Sequence, residues 1–290
     1  MTTQIVVHLL PHEIDWFEWQ SKQFKIGSSY VSTDVIIDVT LNLNLVDWNK
    51  SSMPKQYYIE KFNYIETLWD WAETKFDVNE NGTCLGCDDK RRTSIRTSTS
   101  DNILYLDSDL IFKPETLSYI LSAAAAVGDS YYIISPQTVR MWDSSWDVIT
   151  NKDYMNTPAS METYYANDPF AIITKEISDI SLKKINEFKF GGGWFNLLST
   201  KLLKLTDIPD SFGPYGIDDL YVMQCCNILK QKGIEVNQYI VDGLVVVENF
   251  KYRRNYHKDF LYLIDNQKEY RTQAEDNLVK ELHNFSKKVI

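Results

Sequence analysis

The chain has 290 residues, with 30 Lys and Arg against 40 Asp and Glu for a formal charge of −10. Apolar residues at 44% and charged residues at 24% exclude a wholly disordered chain. The acidic balance argues against a surface devoted to nucleic acid, although a local basic groove can still hold phosphate.

The opening MTTQIVVHLLPHEIDW has no basic stretch and only a short apolar run, so it reads as neither a signal peptide nor a membrane anchor. Gln4–Leu10 reads as a buried strand ending at Pro11, and Glu13–Lys25 as a helix. Asp34–Leu41 is rich in β-branched residues and predicts a second strand. Beyond Ser51-Ser-Met-Pro54, the apolar residues Ile59, Phe62, Ile65, Trp69, Ala72 and Phe76 recur at helical spacing and predict one long helix. A loop through Asn79 and Gly86 leads to a polar helix, Asp88–Ser100. Asn102–Leu106 reads as a strand, Lys113 to Gly128 as a helix with its cap, and Tyr131–Ser135 as another strand. Gln137–Lys189 is irregular and aromatic, and Pro209–Gly216 is a loop. Ile217–Lys232 reads as a helix closed by Gly233; Ile234–Ile240 and Leu244–Val247 read as strands, and the chain from Lys258 onward as a charged helix. Strands alternating with helices give an α/β class with a largely parallel sheet. Cys84 and Cys87 form a lone CxxC and Cys225-Cys226 an adjacent pair, a pattern that fits reduced thiols in a cytoplasmic protein.

The sharpest chemical signal is Ile103–Phe112, in which an apolar strand ends in Asp107-Ser108-Asp109. Strand alternation sends residues i and i+2 to one side, so both carboxylates are expected to point the same way. Ligands of open α/β sheets bind beyond the carboxyl ends of strands. Two anions there call for a cation. Mg²⁺ or Mn²⁺ suits a pair of carboxylates, with phosphate oxygens and water completing its shell. The same residues also fit a turn in which Asp109 caps the following helix.

In this order of motifs the sequence resembles the GT-A glycosyltransferases, especially the family-2-like group. The resemblance is carried by Lys90-Arg-Arg-Thr-Ser-Ile-Arg96, by Tyr105-Leu-Asp-Ser-Asp109, and by Gly191-Gly-Gly-Trp-Phe-Asn196 followed by Tyr215-Gly-Ile-Asp-Asp-Leu220. It implies a Rossmann-like open mixed sheet flanked by helices over residues 1–250, with a helical extension at 251–290 packed on it. It also implies a nucleoside-diphosphate sugar donor, a uridine diphosphate sugar in the common case, and an acceptor hydroxyl. Asp107 and Asp109 match the metal-binding motif. The histidine that many members place after the last core strand is missing at Val247-Glu-Asn-Phe250, which leaves His257 as the nearest third ligand.

Sugar transfer from a diphosphate needs charge neutralisation on the leaving group and removal of a proton from the acceptor. Arg91, Arg92 and Arg96 are candidates for the first task, with Arg92 and Arg96 one turn apart on a helix face; pairing with Asp88 and Asp89 is the plainer use of that face. Asp218 and Asp219 open a helix, and Asp218 matches the family's general base. Mutual repulsion would make such a pair more basic, and an ordinary helix cap fits the same residues. Pro11 and His12 follow the first strand, where this family places the nucleotide base, and Asp38 on the second strand joins them. Ser108, Gly192, Gly193 and Trp194 complete the candidate donor site, the glycines allowing close backbone approach and the indole stacking on a sugar. Trp142 and Trp146 are candidates for an acceptor platform or a packed pair, and Lys251, Arg253, Arg254 and Lys258 for a cover over the diphosphate.

The competing readings are a sugar-phosphate nucleotidyltransferase and a non-catalytic carbohydrate-binding protein. The first calls for a glycine-rich phosphate loop after strand one, where Leu9-Leu-Pro-His-Glu-Ile-Asp15 stands instead. For the acceptor, a glycan leads and a modified DNA base trails.

Overall fold

The computed structural model describes residues 1–43, 53–80, 86–139, 180–186, 195–248 and 261–289. Among the described residues nine strands follow in order: β1 (Thr2–Leu9), β2 (Asp34–Asn42), β3 (Glu73–Asn79), β4 (Asn102–Leu106), β5 (Leu110–Ile111), β6 (Tyr131–Val139), β7 (Ser181–Ile185), β8 (Phe195–Ser199) and β9 (Val236–Glu248). The α-helices among the described residues are α1 (Ile14–Gly27), α2 (Lys55–Thr67), α3 (Cys87–Thr97), α4 (Thr116–Val127), α5 (Thr200–Thr206), α6 (Asp218–Gln231) and α7 (Leu261–Lys288).

The strands form one sheet in the order β3-β2-β1-β4-β8-β6-β9-β5, with β7 added alongside β9. β3, β2, β1 and β4 are mutually parallel, β8 runs antiparallel to β4 and β6, and β9 is parallel to β6. The chain moves outward from β1 to β2 and β3, then returns to place β4 on the other side of β1. That reversal opens a crevice beyond the carboxyl ends of β1 and β4, the natural ligand position in such sheets.

Period-two alternation splits the core into two layers. Ile5, Val7, Leu9, Leu104 and Leu106 pack with Phe17, Phe24, Phe62 and Trp69 on one face. Val6, Ile103 and Tyr105 pack with Ile95, Leu202, Tyr221 and Cys225 on the other. The second layer also takes in Ala274, Phe285 and Val289, so α7 and the residue after it cover this face. α7 is further tied to the turn before α6, where Ser211 Oγ donates to Glu281 Oε1 at 2.9 Å and Asn277 Nδ2 to the Ser211 carbonyl at 3.3 Å. No described helix is long and apolar enough to cross a membrane.

Three expectations change. The long helix expected through Phe76 stops at Thr67, because Phe76 belongs to β3 and sits opposite Val39 of β2. The run Glu73–Asn79 satisfies both periods, and pairing with the exposed edge of β2 selects the strand. Short β7 and β8 and helix α5 were not legible as elements. The two strands expected after Gly233 are one, β9, whose pairing with β6 jumps from Pro136–Val241 to Gln137–Val245. The excess residues bulge out at Gly243, whose φ is 85° and whose N–H donates to Gln137 Oε1 at 2.8 Å. Cys87, Cys225 and Cys226 are free thiols, as expected for reduced cysteines; Cys84 lies outside the described residues.

Candidate active site

β4 ends at Leu106, and Asp107-Ser108-Asp109 forms a turn before β5, which bonds to β9. The alternation argument for the two carboxylates therefore does not apply: the pair sits in a turn, not in a strand. The turn is held from behind by α1. Gln20 is fully buried, and its Nε2 donates to the carbonyls of Asp107 and Leu110, both at 3.0 Å. Glu13, after β1, accepts the Leu10 N–H at 3.0 Å. Burial pushes the Glu13 carboxyl up to about 8; nearby Asp109 and Asp107 add to this, while its bonds from Leu10 and Ser108 oppose it. Glu13 and Gln20 were missed as site residues. The available signal for Gln20 was an amide on the apolar stripe of Phe17 and Phe24, because a polar group on a buried face must find partners.

Pro11 and His12 form the turn at the carboxyl end of β1, with both side chains buried. Burial, helped by His8, lowers the His12 imidazole to about 3, so it is neutral at physiological pH. Ser108 is also buried.

The three basic residues of α3 reach three different places. Lys90 pairs with Asp38, which also accepts Gln4 Nε2 at 2.7 Å. Asp38 lies within β2, and these bonds dock α3 on the sheet. Arg91 reaches both acidic centres, with Nη2 donating to Asp107 Oδ1 at 3.0 Å and Nη1 to Asp218 Oδ2 at 2.7 Å. Arg92 turns away from the acidic turn. It donates to the carbonyls of Ile208, Pro209 and Gly213, each at 3.0 Å, and to Asp89 at 2.8 Å. Arg96, one turn on, pairs with Asp207 and Asp210. The expected phosphate clamp of Arg92 and Arg96 is thus a structural brace. The two share a face, as their spacing predicts, but that face meets the 207–213 segment.

α6 opens with Asp218 and Asp219, as read from the sequence. Asp218 is buried against Arg91. Asp219 is the member of the pair whose carboxyl rises to about 7, from burial first and the Asp218 charge second. A third carboxyl, Asp88, is wholly buried nearby and held well above the usual range by burial and by Asp218. Its proximity comes from a tight joint: the Asp88 N–H donates to the Pro214 carbonyl at 3.1 Å, and a Cβ on Gly86 would lie 1.7 Å from that oxygen. Only glycine fits there.

Gly192, Gly193, Trp194 and His257 lie outside the described residues, as do Trp142, Trp146, Lys251, Arg253, Arg254 and Lys258. Among the described residues, no group of three or more His, Cys, Asp or Glu side chains forms a metal cage.

Staphylococcus aureus TarS superposes with a TM-score of 0.50 and 13% identity, over 98% of this chain and 43% of that one. The chain has the GT-A fold. It thus spans less than half of TarS. Glucosyl-3-phosphoglycerate synthase from Mycobacterium tuberculosis, solved with Mn²⁺, uridine diphosphate and glucosyl-3-phosphoglycerate, gives 0.49 and 12% identity over 97% of this chain and 80% of that one. GalNAc-T7 with UDP, GalNAc and Mn²⁺ gives 0.45 and 12% over 85% and 43%. No family model and no curated protein matches the sequence. On a GT-A sheet, the crevice beyond β1 and β4 is where the acidic turn, Arg91 and the start of α6 converge.

Proposed function

We propose that the chain is a metal-dependent glycosyltransferase that moves a sugar from a nucleoside-diphosphate sugar to an acceptor hydroxyl with inversion. The sequence resemblance favours a uridine diphosphate donor and a glycan acceptor. The observation that carries the reading is Arg91, which bonds Asp107 of the acidic turn with one nitrogen and Asp218 of α6 with another. Donor-side and acceptor-side carboxylates are thereby set on either side of one guanidinium at the switch point of the sheet.

The donor set fits a hard cation. Asp107 and Asp109 supply carboxylate oxygens in a turn beyond a buried strand, and the Asp107 side chain is 37% exposed. With no closed cage among the described residues, phosphate oxygens and water would fill the remaining positions, as Mg²⁺ and Mn²⁺ sites commonly arrange. Bound there, the ion supplies charge neutralisation for the leaving diphosphate. Asp218 accepts the acceptor proton as the acceptor oxygen bonds to the anomeric carbon and the carbon–oxygen bond to the diphosphate breaks. Arg91 holds the Asp218 carboxylate in place through the Nη1–Oδ2 bond. His12, neutral and buried, and Pro11 back the nucleotide side of the crevice.

A screen of nucleotide sugars with and without Mn²⁺, read as release of nucleoside diphosphate, tests the reading. One donor is expected to turn over only with metal, and Asp109→Ala to abolish that turnover. At saturating Mn²⁺, Asp218→Asn is expected to lose transfer while donor affinity stays within a few-fold. Full transfer by Asp218→Asn, or metal-independent turnover in Asp109→Ala, would reject the assignment.

A further inference from the structure

The two bonds of Arg91 lie in unequal settings. The Asp218 side chain is 10% exposed and the Asp107 side chain 37%. An ion pair in the drier position is stronger and less screened, so the Asp218 bond is the firmer of the two. The guanidinium also sits 5.2 Å from the Tyr105 ring centroid, which steadies its plane against β4. One positive charge is therefore divided between two carboxylates that the proposed reaction uses for different tasks.

Building on the glycosyltransferase reading, we propose that Arg91 is a positioning residue that couples cation loading at Asp107 to the hold on Asp218. A cation and the guanidinium compete for the same Asp107 carboxylate. The more exposed bond yields first, and Arg91 keeps its bond to Asp218. A loaded donor side thus tightens the grip on the general base. Linkage makes the effect reciprocal: any change that weakens the Arg91–Asp218 bond leaves more of the guanidinium on Asp107 and lowers affinity for the cation. Lysine cannot replace it, because one ammonium does not offer two nitrogens in a fixed fork.

The test uses the full chain and Mn²⁺ alone, with free Mn²⁺ read by electron paramagnetic resonance and thermal unfolding recorded alongside. Asp218→Asn, which is close to isosteric, is expected to weaken Mn²⁺ binding by about fivefold or more, and Arg91→Met to tighten it by a similar factor. A purely structural Arg91 would shift the unfolding temperature without this opposed pair of changes. If Arg91→Met does not fold, Asp218→Asn still decides the question. Unchanged Mn²⁺ affinity in Asp218→Asn, with binding still lost in Asp109→Ala, overturns the coupling and leaves the metal site standing. Binding that survives Asp109→Ala, or that is absent from the wild type, overturns the metal site and the coupling together.

Discussion

Gln20 provides the most direct test of how the acidic turn is held. Its Nε2 spends both hydrogens on the carbonyls that flank the Asp107–Asp109 turn, each at 3.0 Å. Its Oε1 is buried without a hydrogen-bond partner among the described residues. Gln20→Leu keeps the volume and removes both donors. The stranded Leu110 carbonyl, which is buried, costs about 1–3 kcal/mol, and the better hydrated Asp107 carbonyl about 1 kcal/mol. Removing the orphaned Oε1 returns about 1 kcal/mol. The expected net loss is about 2 kcal/mol, which lowers the melting temperature of a chain this size by roughly 3 °C. Gln20→Glu is the sharper variant, because it sets an anion against two carbonyl oxygens and beside Asp107. It is expected to cost at least about 3 kcal/mol. Urea unfolding followed by tryptophan fluorescence measures both, and Mn²⁺ titration reports on the turn itself. Wild-type stability in Gln20→Leu, or a Glu variant no worse than the Leu variant, would refute the account.

Two further outcomes follow from the same geometry. Arg92→Met should lose about 3 kcal/mol of stability, since a buried cation bonded to three carbonyls and to Asp89 is removed, while nucleotide affinity changes little. Calorimetric titration alongside urea unfolding checks this, and a fully stable variant that fails to bind nucleotide would restore Arg92 to the donor site. The metal-free protein should become less stable as pH rises from about 5 to about 8. Burial raises Asp219 to about 7 and Glu13 to about 8, so the folded form keeps protons that the unfolded chain, with ordinary carboxyls, has released. His12, lowered by burial to about 3, works in the opposite sense, but only below the ordinary histidine value of about 6.5. The urea midpoint should therefore fall most clearly between pH 6.5 and 8, and less steeply in Asp219→Asn. A midpoint that rises over this range would contradict the burial of these carboxyls.

Most of the strand–helix alternation up to Tyr131 was legible because those elements carry their own period: β-branched runs in Asp34–Asn42, and helical recurrence from Ile59 to Ile65. What was not legible was decided by distant partners. Phe195–Ser199 is a strand because it lies between β4 and β6, and Glu73–Asn79 because β2 offers an open edge. The same division runs through the site. Asp107 and Asp218 could be picked out locally, one at a strand end and one at a helix start. That Arg91 and not Arg92 joins them could not, because the two differ by 100° around α3 and only the docking angle of that helix says which faces the crevice. Glu13 and Gln20 matter through contacts with a turn far along the chain, and no local pattern marks such a contact.

The docking of α3 explains why one turn of helix can organise the crevice. Consecutive residues of an α-helix point about 100° apart, so Lys90, Arg91 and Arg92 address three neighbours at once. Lys90 takes Asp38 on β2, Arg91 takes the acidic turn and α6, and Arg92 takes Asp89 and the carbonyls leading into α6. All three residues are buried, and desolvating a cation offsets most of what its ion pairs return. Removing one cation still costs stability because its partners are stranded, but measured against an apolar replacement of the whole set the gain lies in position. An apolar helix could cover the same sheet face and slide on it by a fraction of a turn. Three directional charge pairs, with Gly86 closed on Pro214, leave α3 one register, and in that register Asp107 and Asp218 share a guanidinium.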